Sequence, residues 1–157
     1  MIALDDALRS VTLLGFDSAP FIYFVERNPA YLTTMREVFR RVTAGDFHGV
    51  TSSVTLTEVL VHPFARYDYK LAKSYRELLQ NSVNFRTIAA SNAIAERAAR
   101  LRADYKLRTP DALQIATALE CGCEAFLTND AALTRVGELR VLALDDLMWT
   151  PTSPQAS

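Results

Sequence analysis

Apolar residues along this chain fall into two alternating patterns, short unbroken runs and longer stretches with helical spacing. VTLLGF (11 to 16), FHGVTS (47 to 52), VNFRTIA (83 to 89), EAFLTN (124 to 129) and LRVLAL (139 to 144) are runs of strand length. After the first run, Ser18 and Pro20 mark a helix start, and PFIYFVE reads as a short helix ending near Arg27 to Pro29. A second helix is expected from about Ala30 to Thr43, stopped by Gly45. SVTLTEVLVHPFA starts another helix, with an interruption expected around Pro63. KLAKSYRELLQ, SNAIAERAARLRADY and TPDALQIATALE carry helical spacing, and DAALTRV reads as a short helix. Strands alternating with helices predict an α/β fold in which a central parallel sheet is covered by helices. The boundaries follow: an N-terminal extension over 1 to 10, one domain over 11 to 146, and a disordered tail over 147 to 157, where PTSPQAS is polar and broken by proline.

Composition narrows the class. A chain of 157 residues, 50% hydrophobic and 22% charged, is one ordinary domain with enough apolar material for a core. No apolar run reaches the roughly 20 residues of a membrane span, and Asp5 and Asp6 stand where a signal peptide would be basic and then apolar. A cytoplasmic location is therefore expected. Cys121 and Cys123 flank Gly122, too close for a comfortable disulfide and without a third thiol or nearby histidine to complete a zinc site. They read as small fillers at a helix end. The net charge of −1 hides an asymmetry, because residues 66 to 108 carry ten basic against four acidic side chains, a net +6. Solvated helix faces produce such blocks often, and a track for a phosphate backbone is the sharper alternative.

Four acids change the picture once they are placed on this scheme. Asp17 follows the first strand, Glu58 lies early in the helix after the second, Asp111 is in the first turn of TPDALQIATAL, and Asp130 directly follows EAFLTN. In a parallel α/β sheet, strand ends and the starts of the following helices share the edge where ligands bind, so all four can converge. Each also has a local explanation. Thr109 as N-cap with Pro110 next would make Asp111 a complement to the helix dipole, and Thr55 to Glu58 has capping-box spacing. Asp130 can cap the short helix, and Asp17 can belong to a strand-ending turn. Together, however, carboxylates about 5 Å apart repel by about 3 kcal/mol per pair at an effective dielectric of about 20. A cation among them is the natural remedy. His48 reads as a strand-start residue and His62 as a surface or helix-break residue, so a hard ion such as Mg²⁺ or Mn²⁺ fits better than an imidazole-bound one. Two other classes fail on particular residues: a receiver domain needs an acidic pair where Asp17 is followed by Ser18, and a D-x-D phosphohydrolase fails at Ala19.

FDSAPFIYFVE, SSVTLTEVL, TPDALQIATAL and FLTND resemble, in order and spacing, the motifs of the PIN domain family, over about residues 11 to 146. The size is similar to that of the VapC-type ribonuclease toxins of toxin-antitoxin pairs. That resemblance implies a three-layer α/β/α domain acting as a metal-dependent endoribonuclease, with RNA as substrate and a small antitoxin as partner. It implies metal-binding and catalytic roles for Asp17, Glu58, Asp111 and Asp130, and a catalytic role for Thr128, whose hydroxyl would orient water or phosphate. The chemistry expected is hydrolysis by an activated water, leaving 5′-phosphate and 3′-hydroxyl ends. The alternative is a PIN-like RNA-binding or RNA-processing protein without a toxin role. One departure from the family pattern is Ser18-Ala19 where Thr-Asn is common, which removes a polar contact near the metal; the other is the extension before the first strand. A homodimer is expected because apolar helical positions in 31 to 42 and 71 to 79 exceed what one side of a small sheet needs.

Overall fold

All five expected strands form one parallel sheet. In the computed structural model, which describes residues 1–151, the chain runs β1 (Ile2–Ala3), α1 (Leu4–Leu8), β2 (Leu13–Phe16), α2 (Ser18–Val25), α3 (Leu32–Ala44), β3 (His48–Ser52), α4 (Ser53–Ala65) and α5 (Tyr69–Asn81). It continues through β4 (Phe85–Ile88), α6 (Asn92–Tyr105), α7 (Thr109–Glu120), β5 (Ala125–Thr128), a 3-10 turn (Ala131–Arg135), β6 (Arg140–Ala143), a second 3-10 turn (Leu144–Asp146) and β7 (Leu147–Met148). The sheet order is β4-β3-β2-β5-β6. After reaching β4 at one edge the chain returns to lay β5 beside β2, so the winding reverses there. The carboxyl ends of β2 and β5 flank the crevice that such a reversal opens.

Alternation along the strands sorts the core into two layers. Leu14, Phe16, Ala125 and Leu127 belong to a buried cluster with α1, α2, α3 and α5, in which Phe16, Phe21, Phe39 and Phe85 pack ring against ring. Val50 and Phe126 belong to the opposite cluster, with α6 and α7. The three-layer α/β/α architecture is therefore present. Helix α7 lies close on the central strand because Gly15 has no side chain: a Cβ there would sit 2.7 Å from the Cβ of Ala118 and 3.1 Å from the Phe126 ring.

Several local expectations need correction. Helix α4 runs through Pro63 without a break and ends at Ala65. The proline removes one amide near the C-terminus, and its own carbonyl accepts from Asp68 N at 2.8 Å, so little is lost. Helix α7 starts at Thr109 with Arg108 in the cap position and no side-chain cap. The short helix expected after Asp130 is present as a 3-10 turn, Ala131–Arg135, with Asp130 as its cap. The expected extension is built into the domain: Ile2 and Ala3 pair with Leu147 and Met148, and Leu4, Ala7, Leu8 and Leu147 are buried. The polar tail thus begins after a strand, and residues 152 to 157 lie outside the described ones. The apolar positions that suggested a dimer are used within the chain, since Met35, Val38, Val42, Ala72, Tyr75 and Leu79 are all buried. Cys121 and Cys123 are free thiols at the end of α7, as expected, with Cys123 pushed up to about 12 by burial.

Replacing Gly15 by Ala forces β2 and α7 apart, because the atom it meets belongs to an alanine with no freedom to move aside. The expected loss is about 1–3 kcal/mol, read as a lower urea midpoint at unchanged slope.

Candidate active site

Asp17 is the residue around which the edge is built. Its backbone N–H still pairs with Leu127 O at 2.9 Å, continuing the sheet, while its side chain caps α2 by accepting from Ser18 N at 2.8 Å. The second carboxylate oxygen accepts from the Thr128 hydroxyl at 2.7 Å. Thr128 ends β5 and is fully buried, so a strand terminus fixes that donor. The turn reading of Asp17 is therefore correct as far as it goes, but capping one helix does not require a threonine from another strand. Burial is the largest influence on the Asp17 carboxyl and raises its pKa, opposed by Thr128 and Ser18 and reinforced by Asp111 and Asp130.

Glu58 stands on the second turn of α4. The capping-box reading fails because Ser52, not Thr55, is the cap of this helix and accepts from Val54 N. Thr55 is instead buried. Desolvation and then the neighbouring Asp17 raise the Glu58 carboxyl, while hydrogen bonds from Gln114 and Ser18 oppose them. The hydroxyl retained at Ser18 thus keeps a polar contact in the site despite the departure from the family pattern. Asp111, in the first turn of α7, meets Arg108 at 3.2 Å. Asp130 caps its 3-10 turn by accepting from Ala132 N at 2.9 Å, and its own N–H is tied to the Thr128 hydroxyl at 3.0 Å.

The four acids share one electrostatic neighbourhood: Asp17 feels Asp111 and Asp130, and Glu58 feels Asp17 and Asp111. Among the described residues, no three His, Cys, Asp or Glu side chains stand close enough to grip an ion as they are. The donor set is nonetheless all oxygen, four carboxylates beside a hydroxyl, with His48 and His62 exposed elsewhere on β3 and α4. That composition suits a hard divalent cation.

Three further residues belong to this edge and were not singled out from sequence. Arg108 counted only as part of the basic block, yet its guanidinium is on Asp111 and also feels Glu58 and Asp130; its spacing of three from Asp111 was the available signal. Gln114 sits in the apolar stripe of α7 and donates toward Glu58 at 3.4 Å. Asn129 reaches Tyr23 at 2.8 Å and Tyr31 at 3.2 Å, whose rings stack with centroids 4.3 Å apart. The basic block itself is divided. Arg97 pairs with Glu120 and Arg102 donates to Leu107 O, whereas Lys70, Lys73 and Arg76 lie exposed on α5, with Lys73 3.8 Å from Glu77 and Arg76 over the Phe64 ring.

A carboxylate cluster at the switch point of a parallel α/β sheet, with a hydroxyl and a guanidinium alongside, is suited to work on phosphate esters. The chain belongs to the PIN domain family, whose model matches residues 16–139, and PIN domains are nucleases. Among solved structures it is similar to a chain of a toxin-antitoxin complex from Klebsiella pneumoniae, at 27% identity over 84% of this chain and 97% of that one, with a TM-score of 0.63. It also shares its fold with a chain of VapBC2 from Rickettsia felis bound to a promoter DNA fragment, at 13% identity over 83% and 98% of the two chains and a TM-score of 0.64. A chain of DNA-bound VapBC from Salmonella typhimurium matches at 16% identity over 85% and 98%, with a TM-score of 0.65. No curated protein sequence matches the chain significantly.

Because burial raises the Asp17 carboxyl above the ordinary carboxylate range, the folded chain keeps a proton there after the unfolded chain has lost it. Stability contributed by this group therefore falls as pH rises through that window and stays low above it. Asp17→Asn is expected to remove the fall. In urea titrations with chelator between pH 4 and 7, the variant should gain on the parent as pH rises, and a constant difference would refute the assignment.

Proposed function

We propose that this chain is a metal-dependent endoribonuclease and the toxin of a toxin-antitoxin pair. The observation that carries the reading is the set of four carboxylates brought to one sheet edge from four separate segments, with the most desolvated of them, Asp17, held by the first amide of α2 and the Thr128 hydroxyl at the end of β5. Asp17, Glu58, Asp111 and Asp130 are the residues that would hold Mg²⁺ or Mn²⁺. When bound, such an ion supplies charge neutralisation at the phosphate and acidifies water for attack. The chain's own groups do the rest. Thr128 keeps Asp17 oriented and ionised by donating to it, and Ser18 adds its amide to the same carboxylate. Arg108, three-quarters exposed and tethered to Asp111, offers a guanidinium to a phosphoryl oxygen at the mouth of the site. RNA is the proposed substrate, and exposed Lys70, Lys73 and Arg76 would contact its backbone.

A small antitoxin is the proposed partner, in a cytoplasmic setting. Its support is the toxin-antitoxin complexes among the similar structures, together with an open groove between α2, α3 and α5 where Phe24, Val25, Leu32 and Leu78 alternate with Arg27, Arg36, Ser74, Glu77 and Ser82. Among the described residues, no helix is long and apolar enough to cross a membrane.

Purified chain should cut a labelled single-stranded RNA internally in Mg²⁺, lose the activity with EDTA, and recover it with Mn²⁺. Asp111→Asn should lower the rate by at least 100-fold, about 2.7 kcal/mol of transition-state stabilisation, while leaving the metal-free fold as stable as before. Cleavage that persists in EDTA, or in Asp111→Asn at the parent rate, overturns the reading.

A further inference from the structure

We infer that Gln114 is a positioning residue for the metal site, holding Glu58 in place through a polarised hydrogen-bond chain that begins at the central strand; the inference rests on the acidic-site reading above. The chain has a determined direction. The Thr51 hydroxyl donates to Phe16 O at 2.8 Å, so its single proton is used. Thr51 and Thr55 lie 2.8 Å apart through their hydroxyl oxygens, which leaves Thr55 as the donor to Thr51. The Thr55 oxygen can then only accept from Gln114, whose Nε2 is 2.6 Å away. The same nitrogen has a second hydrogen, and it faces Glu58 Oε1 at 3.4 Å. A carboxylate accepts and never donates when ionised, so both neighbours demand the nitrogen of the amide on this side.

The opposite end of the amide supports this reading. Gln114 is 2% exposed, and its Oε1 is buried with no hydrogen-bond partner. A side chain selected only to fill the core under α7 would be apolar at this position, like Ile115 and Ala118 on the same helix. The fold tolerates a stranded carbonyl, and what it obtains is two N–H groups delivered to Thr55 and Glu58. Thr51, Thr55 and Gln114 lie on β3, α4 and α7, and the acceptor at the start is the residue before Asp17. The chain therefore joins the elements bearing Asp17, Glu58 and Asp111 beneath the carboxylates.

Gln114→Met keeps the length of the side chain and removes both the donors and the stranded oxygen. Its metal-free melting temperature should match or exceed the parent's. Calorimetric titration with Mn²⁺ alone should show affinity lowered about 10- to 100-fold. With RNA, kcat should fall at sub-saturating Mn²⁺ while KM is unchanged, and excess Mn²⁺ should restore kcat. If the parent binds Mn²⁺ and Gln114→Met binds it equally well, the inference is overturned while the acidic-site reading stands. If the parent itself does not bind Mn²⁺, both fall together, and that is seen before any variant is made. Should Gln114→Met fail to fold, Thr55→Val decides: it removes the acceptor that fixes the amide, so lowered Mn²⁺ affinity supports the inference and unchanged affinity overturns it.

Discussion

A carboxylate taken almost out of water at the end of the central strand is the constraint to which the rest of this structure answers. Asp17 is 9% exposed, and burial disfavours its charge more than any neighbour does. Two donors keep the charge bearable: the first amide of α2, which comes with the helix that follows immediately, and the Thr128 hydroxyl, which is present only because β5 lies parallel to β2 in the register Phe16 to Leu127. Sheet topology and acid chemistry are thus one fact. Had β5 been added at an edge rather than beside β2, the buried carboxylate would lack half its partners.

The second requirement is that the other acids come near without being buried as deeply. Glu58 and Asp130 are exposed, and Asp111 is in the first turn of α7 next to an arginine. Their placement follows from helices that start at the same sheet edge, but the distance of α7 is set by packing. Gly15 lets Ala118 approach β2 more closely than any larger residue would permit, and this fixes where Asp111 and Gln114 stand relative to Asp17. The Arg108 guanidinium stands on Asp111 and also feels Glu58 and Asp130, so one cation is shared among three of these acids.

The strands, the helix order and the four acids were legible because each depends on local pattern: apolar runs of strand length, helical spacing, and acids directly after strands or in helix starts. Where the reading went astray, the deciding interaction was tertiary. Thr55 and Glu58 have the spacing of a capping box, but Ser52 already caps α4, and Thr55 is instead claimed by Thr51 and Gln114 from two other elements. Gln114 lies 59 positions from Thr55 in an apolar stripe, so no window of sequence joins them. The surplus of apolar residues on α3 and α5 was real, yet aromatic packing on Phe16 and Phe21 absorbs it within one chain. Counting apolar positions does not reveal how much volume one layer can take up.

The chain ends show the same dependence on distant contacts. They lie outside residues 16–139, where the family model matches, but they are not appendages to a finished core. Arg41 of α3 bonds Asp5 at 2.5 Å, meets Glu37 at 2.8 Å and lies 5.2 Å from the Trp149 ring centroid, so one guanidinium gathers both ends onto one helix. Arg40 is the main reason the Glu37 carboxyl is held down at about 2, and Arg41 adds to it, which keeps this junction charged through the ordinary pH range. From the junction the path to the site is short. Asp145, in the turn before β7, accepts from Tyr31 at 2.6 Å; Tyr31 in turn accepts from Asn129, which lies between Thr128 and Asp130. The loop that presents the last acid is therefore braced by the strand pair that closes the two ends of the chain. A reading confined to the family motifs would find Asp130 after the end of β5 and still omit part of what holds it still.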